Sequence, residues 1–91
     1  MALICDFCGG GPITWREPCS ERIVSIDDDW AACDVCHQLV AAHDNAKLAE
    51  RAATRYGVPL NANSIGILGA LFERIFFEHR TGPARPYHGA N

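Results

Sequence analysis

The stretches Cys5–Cys8, with the sequence CDFC, and Cys33–Cys36, with the sequence CDVC, decide the fold of this 91-residue chain. In each stretch two residues separate the cysteines, so one tight turn can present both sulfurs to the same point. Two such turns supply four sulfurs, which complete the tetrahedral donor set of a structural zinc site. We therefore predict that these four cysteines bind one structural Zn²⁺ ion and leave no coordination position open for chemistry.

Other uses of the cysteines fit the sequence less well. Two disulfides would require an oxidising compartment, and the N-terminal MALICDFCGG lacks the basic start and apolar run of a secretion signal. The stretch CDVCH, which ends at His37, also matches the attachment pattern of c-type haem, but that reading leaves the first pair unexplained. A redox-active dithiol motif of the thioredoxin type is expected to occur once in a chain, whereas this chain contains two Cys-x-x-Cys pairs. Iron would accept the same four thiolates, and the sequence does not distinguish it from zinc.

Composition and charge limit the class of protein. Apolar residues make up 48% of the chain, which predicts a folded domain, and no apolar stretch approaches the ~18 residues of a membrane span. Residues 1–43 contain seven acidic and two basic residues, whereas the whole chain has a formal charge of −3. We predict one cytoplasmic domain over residues 1–91, with a zinc module at 1–43, a helical part at 44–81 and a flexible tail at 82–91.

The sequence between the cysteine pairs predicts a β-hairpin. Ile13–Glu17 and Arg22–Ile26 are rich in β-branched and aromatic residues, and the run Asp27–Asp29 is expected to end the second strand. From Cys33 onward, apolar residues recur at helical spacing, which places the second cysteine pair at a helix start. The predicted class is thus a small α+β zinc-binding domain, in which a treble-clef or zinc-ribbon-like knuckle and hairpin precede about three helices.

Two further helices are predicted after the first. One is capped by Asp44 and ends at Gly57, and the other begins near Asn63 or Ser64 and ends at Arg80. The third helix has an apolar face wider than one small neighbour would cover, so it forms either core or a binding surface for a partner. The residues predicted to bind a partner are Leu68, Phe72, Phe76, Phe77, His79 and Arg80.

Several other side chains have specific predicted roles. His37 follows the last cysteine and is expected near the metal, hydrogen-bonded to a sulfur. Cys19 lies outside both pairs and is expected to be a buried small residue. Lys47, Arg51 and Arg55 share one face of the second helix, where they would contact phosphates if the chain bound nucleic acid.

Several motifs, the two cysteine pairs among them, resemble known sequences. They are CDFCGG at 5–10, Trp15 with Pro18, WAAC at 30–33 with Cys36 and His37, and FFEHRTGP at 76–83. Together they resemble a group of small uncharacterised zinc-binding proteins of actinobacteria and actinophages, over nearly the whole chain. The resemblance implies a single zinc-binding domain followed by helices and carries no activity. It also implies that residues 79–83 are more than a frayed end.

The function predicted from these features is a non-enzymatic, zinc-stabilised protein–protein interaction module, such as a small regulator or adaptor. A protein partner is expected, with a homodimer as one form of it, and no membrane or small-molecule substrate. The alternative is a nucleic-acid-binding transcriptional regulator that uses the basic face of the second helix. No nucleophile, carboxylate pair or cofactor loop occurs at a meaningful spacing, so no enzyme activity is predicted.

Overall fold

A computed structural model describes residues 4–20 and 29–87 of the chain. The elements in these ranges are β1 (Ile13–Pro18), β2 (Asp29–Cys33), α1 (Asp34–Ala41), α2 (Asn45–Tyr56), α3 (Ala62–Ile75), a 3₁₀ helix (Phe77–His79) and β3 (Arg85–Pro86). A small α+β fold is therefore confirmed. Among the described residues, none of the helices has the length and apolar character needed to cross a bilayer.

The sheet contains three antiparallel strands in the order β2-β1-β3. The first predicted strand is confirmed as β1, whereas the predicted partner Arg22–Ile26 lies outside the described residues. The partner of β1 that the structure describes is β2, which begins at Asp29. The run Asp27–Asp29 was predicted to end a strand; Asp27 and Asp28 lie outside the described residues, and Asp29 is the first residue of β2. Its buried carboxylate is neutralised by Arg16 at 2.9 Å and Arg85 at 3.0 Å, so the charge is tolerated in the sheet.

The first two helices form where the sequence predicts them. Cys33 is the N-cap of α1, and α2 follows after a short turn. The Asp44 side chain accepts a hydrogen bond of 3.1 Å from the backbone N–H of Lys47, which satisfies a free donor of the first turn of α2. Gly57 ends α2 in the left-handed conformation, with φ of 73°.

The third helix is shorter than predicted because its last aromatic residues turn into the core. It ends at Ile75, and Phe76 leaves helical geometry with φ of −121° and ψ of −64°. The ring of Phe76 is thereby fully buried, 5.0 Å from the ring of Phe7 and 5.1 Å from that of Trp30. Burial of a phenylalanine ring and its aromatic contacts outweighs one further helical turn.

The chain after α3 returns alongside β1. The backbone N–H of Thr81 donates to the carbonyl of Pro18 at 3.1 Å, and that of Tyr87 donates to Thr14 at 2.9 Å. Between these contacts, β3 pairs with the middle of β1. The segment predicted as a flexible tail at 82–91 thus contains a strand in its described part.

The position of Phe76 makes a prediction about stability. We expect Phe76→Ala to lower the free energy of unfolding of the metal-loaded protein by about 3–5 kcal/mol, because it leaves a cavity among aromatic rings. Leu60→Ala, at an exposed position outside α3, is the control, with an expected change within about 0.5 kcal/mol. Urea denaturation measures both, and equal losses would contradict the assignment of Phe76 to the core.

Candidate metal centre

The four paired cysteines come from three adjacent parts of the fold. Cys5 and Cys8 lie in a turn before β1, Cys33 joins β2 to α1, and Cys36 lies in the first turn of α1. The first turn is closed by a 2.7 Å hydrogen bond from the N–H of Cys5 to the carbonyl of Gly10. It also needs the left-handed conformation of Gly9, whose φ is 74°. Local backbone geometry therefore aims both pairs at one point.

The four sulfurs form a buried cluster that fits one metal ion. All four lie within 4.8 Å of one another, and all four residues are buried. The sulfurs of Cys8 and Cys33 are 3.8 Å apart, and a tetrahedron with Zn–S bonds of about 2.3 Å has edges of about 3.8 Å. The cysteines are free thiols rather than disulfides. The cluster could therefore hold one ion with sulfur ligands alone.

Hydrogen bonds and burial shift the pKa values of the clustered cysteines in different directions. A hydrogen bond from the Cys36 thiol, opposed by burial and assisted by backbone N–H groups, lowers the pKa of Cys5 to about 5. The same contact and burial raise the pKa of Cys36, and burial also raises that of Cys8. Binding of a metal ion by thiolates requires the cysteines to lose their protons, so metal affinity depends on pH.

Arg51 lies at this centre, whereas the sequence placed it only among the candidate nucleic-acid-binding residues. Its Nη2 lies 3.8 Å from the sulfurs of both Cys8 and Cys33. Its hydrogen bonds to Cys36, Cys8 and Cys33 raise the pKa of the guanidinium group despite partial burial. A metal ion of charge +2 with four thiolates carries a formal charge of −2, and Arg51 compensates part of it.

A groove of about 770 Å³ opens beside the cluster, and we call it the α2 groove. Its lining includes Cys8 and Cys33 together with the three predicted nucleic-acid-binding residues Lys47, Arg51 and Arg55. The expectation that these cations share one face of a helix is therefore met. Arg51, however, is directed to the sulfurs, which leaves Lys47 and Arg55 as the outward-facing cations.

The structure gives His37 a different partner from the predicted one. Its Nδ1 lies 3.0 Å from the carboxylate of Glu17, which is completely buried, and its ring stacks on Trp15 at 3.8 Å. Burial raises the pKa of Glu17, while His37 and then Arg80 act in the opposite direction. The polar contact of His37 is therefore to a carboxylate rather than a sulfur, and it serves to satisfy a buried acid.

Cys19 is buried as predicted and lies apart from the sulfur cluster. Its sulfur is 3.8 Å from the carbonyl oxygens of Ile75 and Phe76, at the point where α3 ends. The group of cysteines that could hold a metal does not include it.

The predicted partner-binding residues divide into core and periphery. Phe72 and Phe76 are core residues, and Phe77 is partly buried and stacks on His43 at 4.0 Å. Leu68 is half-buried, His79 is exposed, and Arg80 lies 3.5 Å from Glu17. Phe72 and Phe76 are therefore unavailable to a partner in this fold. The large apolar residues that α3 does expose are Ile67 and Leu71.

The cluster predicts one metal ion per chain. We expect Cys36→Ser to lose the ion, because three thiolates remain where four are needed, whereas Cys19→Ser keeps it. Native mass spectrometry of the intact chain, with metal analysis, measures both. Retention of the metal by Cys36→Ser at wild-type affinity would contradict the four-sulfur site.

Arg51 makes a second prediction at the same centre. We expect Arg51→Met to weaken metal binding about 10–100-fold, as loss of an outer contact to a ligand typically does. Arg55→Met, one helical turn away, is the matched control and should leave metal affinity unchanged. Competition with a chromophoric chelator gives both affinities, and equal values for the two variants would show that Arg51 does not support the thiolates.

Comparisons of the chain with protein-family models, with curated proteins and with solved structures find no match. The features on which a function can be based are therefore those of the chain itself. They are the sulfur cluster with Arg51, the α2 groove, and the exposed face of α3.

Proposed function

We propose that this chain is a non-enzymatic, zinc-stabilised protein–protein interaction module, of the type that acts as a small regulator or adaptor. The observation that carries the proposal is the outer face of α3, where Ile67 is 62% and Leu71 47% exposed. Large aliphatic side chains that remain exposed next to each other are typical of an interaction surface. The remainder of the chain holds that surface in place.

The proposed role of the metal is structural, and the proposed ion is Zn²⁺. Four thiolates fill a tetrahedral shell, so water and substrate have no coordination position. The arrangement we propose is a treble clef, supported by Cys5 and Cys8 in a turn before a strand and by Cys36 in the first turn of a helix. In a chain of 91 residues, such an ion supplements a core too small for high stability.

The partner we propose for α3 is a second copy of the chain. The exposed residues of the helix follow helical spacing and form what we call the outer stripe: Ala62, Asn63, Gly66, Ile67, Ala70, Leu71 and Arg74. Gly66 and Ala70 are small, so another helix can approach closely between Ile67 and Leu71. A stripe with only one charged residue can pair with itself about a twofold axis, which is the commonest symmetry of homodimers.

The expected dimer is weak because the stripe is short. The 14 residues of α3 span about 21 Å, and one helix from each copy gives an interface at the small end of specific complexes. We therefore expect dissociation at micromolar concentrations. This affinity suits a regulator whose assembly responds to its concentration.

The alternative function, nucleic-acid binding, is supported by the shared position of Lys47, Arg51 and Arg55 along the α2 groove. Two observations weaken it. Arg51 is directed to sulfurs, so few cations remain for phosphate, and the whole chain has a charge of −3. Because phosphate contacts dominate this type of binding, a shortage of free cations disfavours it.

A substitution at Gly66 tests the dimer without damaging the fold. A Cβ atom placed there would meet no atom within 4 Å, and replacing glycine inside a helix favours the helix. We therefore expect Gly66→Leu to fold at least as stably as the wild type and yet to be monomeric, because leucine blocks the approach of a second helix. Sedimentation equilibrium across micromolar concentrations gives the oligomeric state.

The control for this test is Leu60→Gln, an exposed apolar residue outside α3, which should leave the dimer intact. A wild type that stays monomeric at high micromolar concentration would overturn the dimer. A dimer that persists in Gly66→Leu would move the interface to another face of the molecule.

A further inference from the structure

The α2 groove has two chemically different walls, and its lining extends beyond Cys8, Cys33 and Arg51, the three lining residues already assigned to the sulfur cluster and its surroundings. We propose that it binds an extended segment of a partner protein that carries carboxylates four residues apart and aliphatic side chains between them. This inference deepens the proposed function, because it defines the chemistry of a second partner. It concerns a different face of the molecule from the outer stripe of α3.

The first wall is the exposed side of α2, which presents two cations. Lys47 and Arg55 are both exposed, and no ion pair joins either of them to a carboxylate in the described residues. They are eight residues apart in one helix, which corresponds to about 12 Å. Both are free to pair with carboxylates from another molecule.

The spacing of these cations matches an extended peptide. A β-type chain rises about 3.3 Å per residue and directs every second side chain to the same side. Acidic side chains at the first and fifth positions therefore lie about 13 Å apart and on one face. That separation is close to the one between Lys47 and Arg55, so both ion pairs can form together.

The second wall is aliphatic. Val35 and Leu39 of α1 and Leu60 after α2 line it, and Val35 and Leu60 are largely exposed. The second and fourth side chains of the same extended peptide point away from α2 and towards this wall. Aliphatic residues there would cover apolar surface that is otherwise in contact with water, which adds affinity that the ion pairs lack.

The floor of the groove is compatible with an acidic ligand. Cys8 and Cys33 line it, and their thiolates would repel carboxylates if they were uncompensated. Arg51 lies against both sulfurs and supplies a positive charge on the groove side of the cluster. The residues Gly10 and Gly11 add no side-chain bulk, so the backbone of a peptide can lie low in the groove.

A nucleic acid fits the same lining less well. Single strands bind to proteins through aromatic stacking as well as cations, and none of the residues described as lining this groove is aromatic. Glu50 also lies in the groove, between the two cations in sequence, where it would repel a phosphate backbone. A peptide can direct a polar or uncharged residue to this position.

The test uses the zinc-loaded chain and a labelled peptide, GELSLEG, with fluorescence anisotropy as the readout. We expect saturable binding that weakens with salt and is lost for the neutral peptide GQLSLQG. The double variant Lys47→Glu, Arg55→Glu should bind GELSLEG at least tenfold more weakly, since two attractive pairs become repulsive. Arg74→Glu on α3 is the control outside the groove: it changes the charge by as much as each single reversal, Lys47→Glu or Arg55→Glu, and should bind as the wild type does.

Separate outcomes would overturn the inference. Equal binding of both peptides, or equal binding by the wild type and the double variant, would exclude recognition of charge in the groove. Binding of the single strand dT12 without binding of GELSLEG would instead support the nucleic-acid alternative. Because Gly66→Leu leaves the groove unchanged, this monomeric variant should still bind the peptide, so failure of the dimer and failure of the groove are distinguishable.

Discussion

The burial of four cysteine sulfurs at one point is the constraint on which the rest of this fold depends. Ionised thiolates within 4.8 Å of one another in the interior repel each other, and the structure is stable in that charge state only if a cation is shared between them. One shared ion would join the turn before β1, the end of β2 and the start of α1. In a small domain, this is a large part of what fixes the relative positions of sheet and helices.

Phe7 links the sulfur cluster to the hydrophobic core. It lies between Cys5 and Cys8 in the sequence, so the turn that presents two sulfurs also inserts an aromatic ring. That ring lies 4.9 Å from the ring of Trp30 and 5.7 Å from that of Phe72, and thus contacts both the sheet and α3. Metal binding and core packing are therefore coupled through one residue, and a loss of either should weaken the other.

The sequence was sufficient to predict the structural elements that depend on interactions between residues close together in the chain. The two cysteine pairs, the caps Asp44 and Gly57, and the helical spacing after Cys33 all act within a few residues, and the structure agrees with them. Asp29 and Phe76 depend instead on distant groups, two arginines in the first case and two aromatic rings in the second. A pattern of neighbouring residues in the sequence does not predict such long-range contacts.

Dependence on distant contacts also explains why the sequence did not predict the contact of Arg51 with the sulfurs. The expected neighbour of the sulfurs was His37, because it is adjacent to Cys36 in the chain, whereas the observed one is Arg51, which α2 brings there through its packing against α1. The position of α2 also determines which cations remain free along the groove. A sequence lists charged residues on a helix face but does not show which of them are already engaged.

The two proposed surfaces have no residue in common: the lining of the α2 groove comes mainly from α1 and α2, and the outer stripe belongs to α3. A peptide in the groove and a second copy on α3 would therefore use different residues. A dimer would then present two grooves.

Exposed ion pairs contribute little individually, and a single groove should bind weakly. Two linked grooves raise the effective concentration of the second site, so a partner with two acidic–aliphatic segments would bind the dimer far more tightly than the monomer. Dimerisation through α3 would thus control binding at the groove without any change in the groove itself.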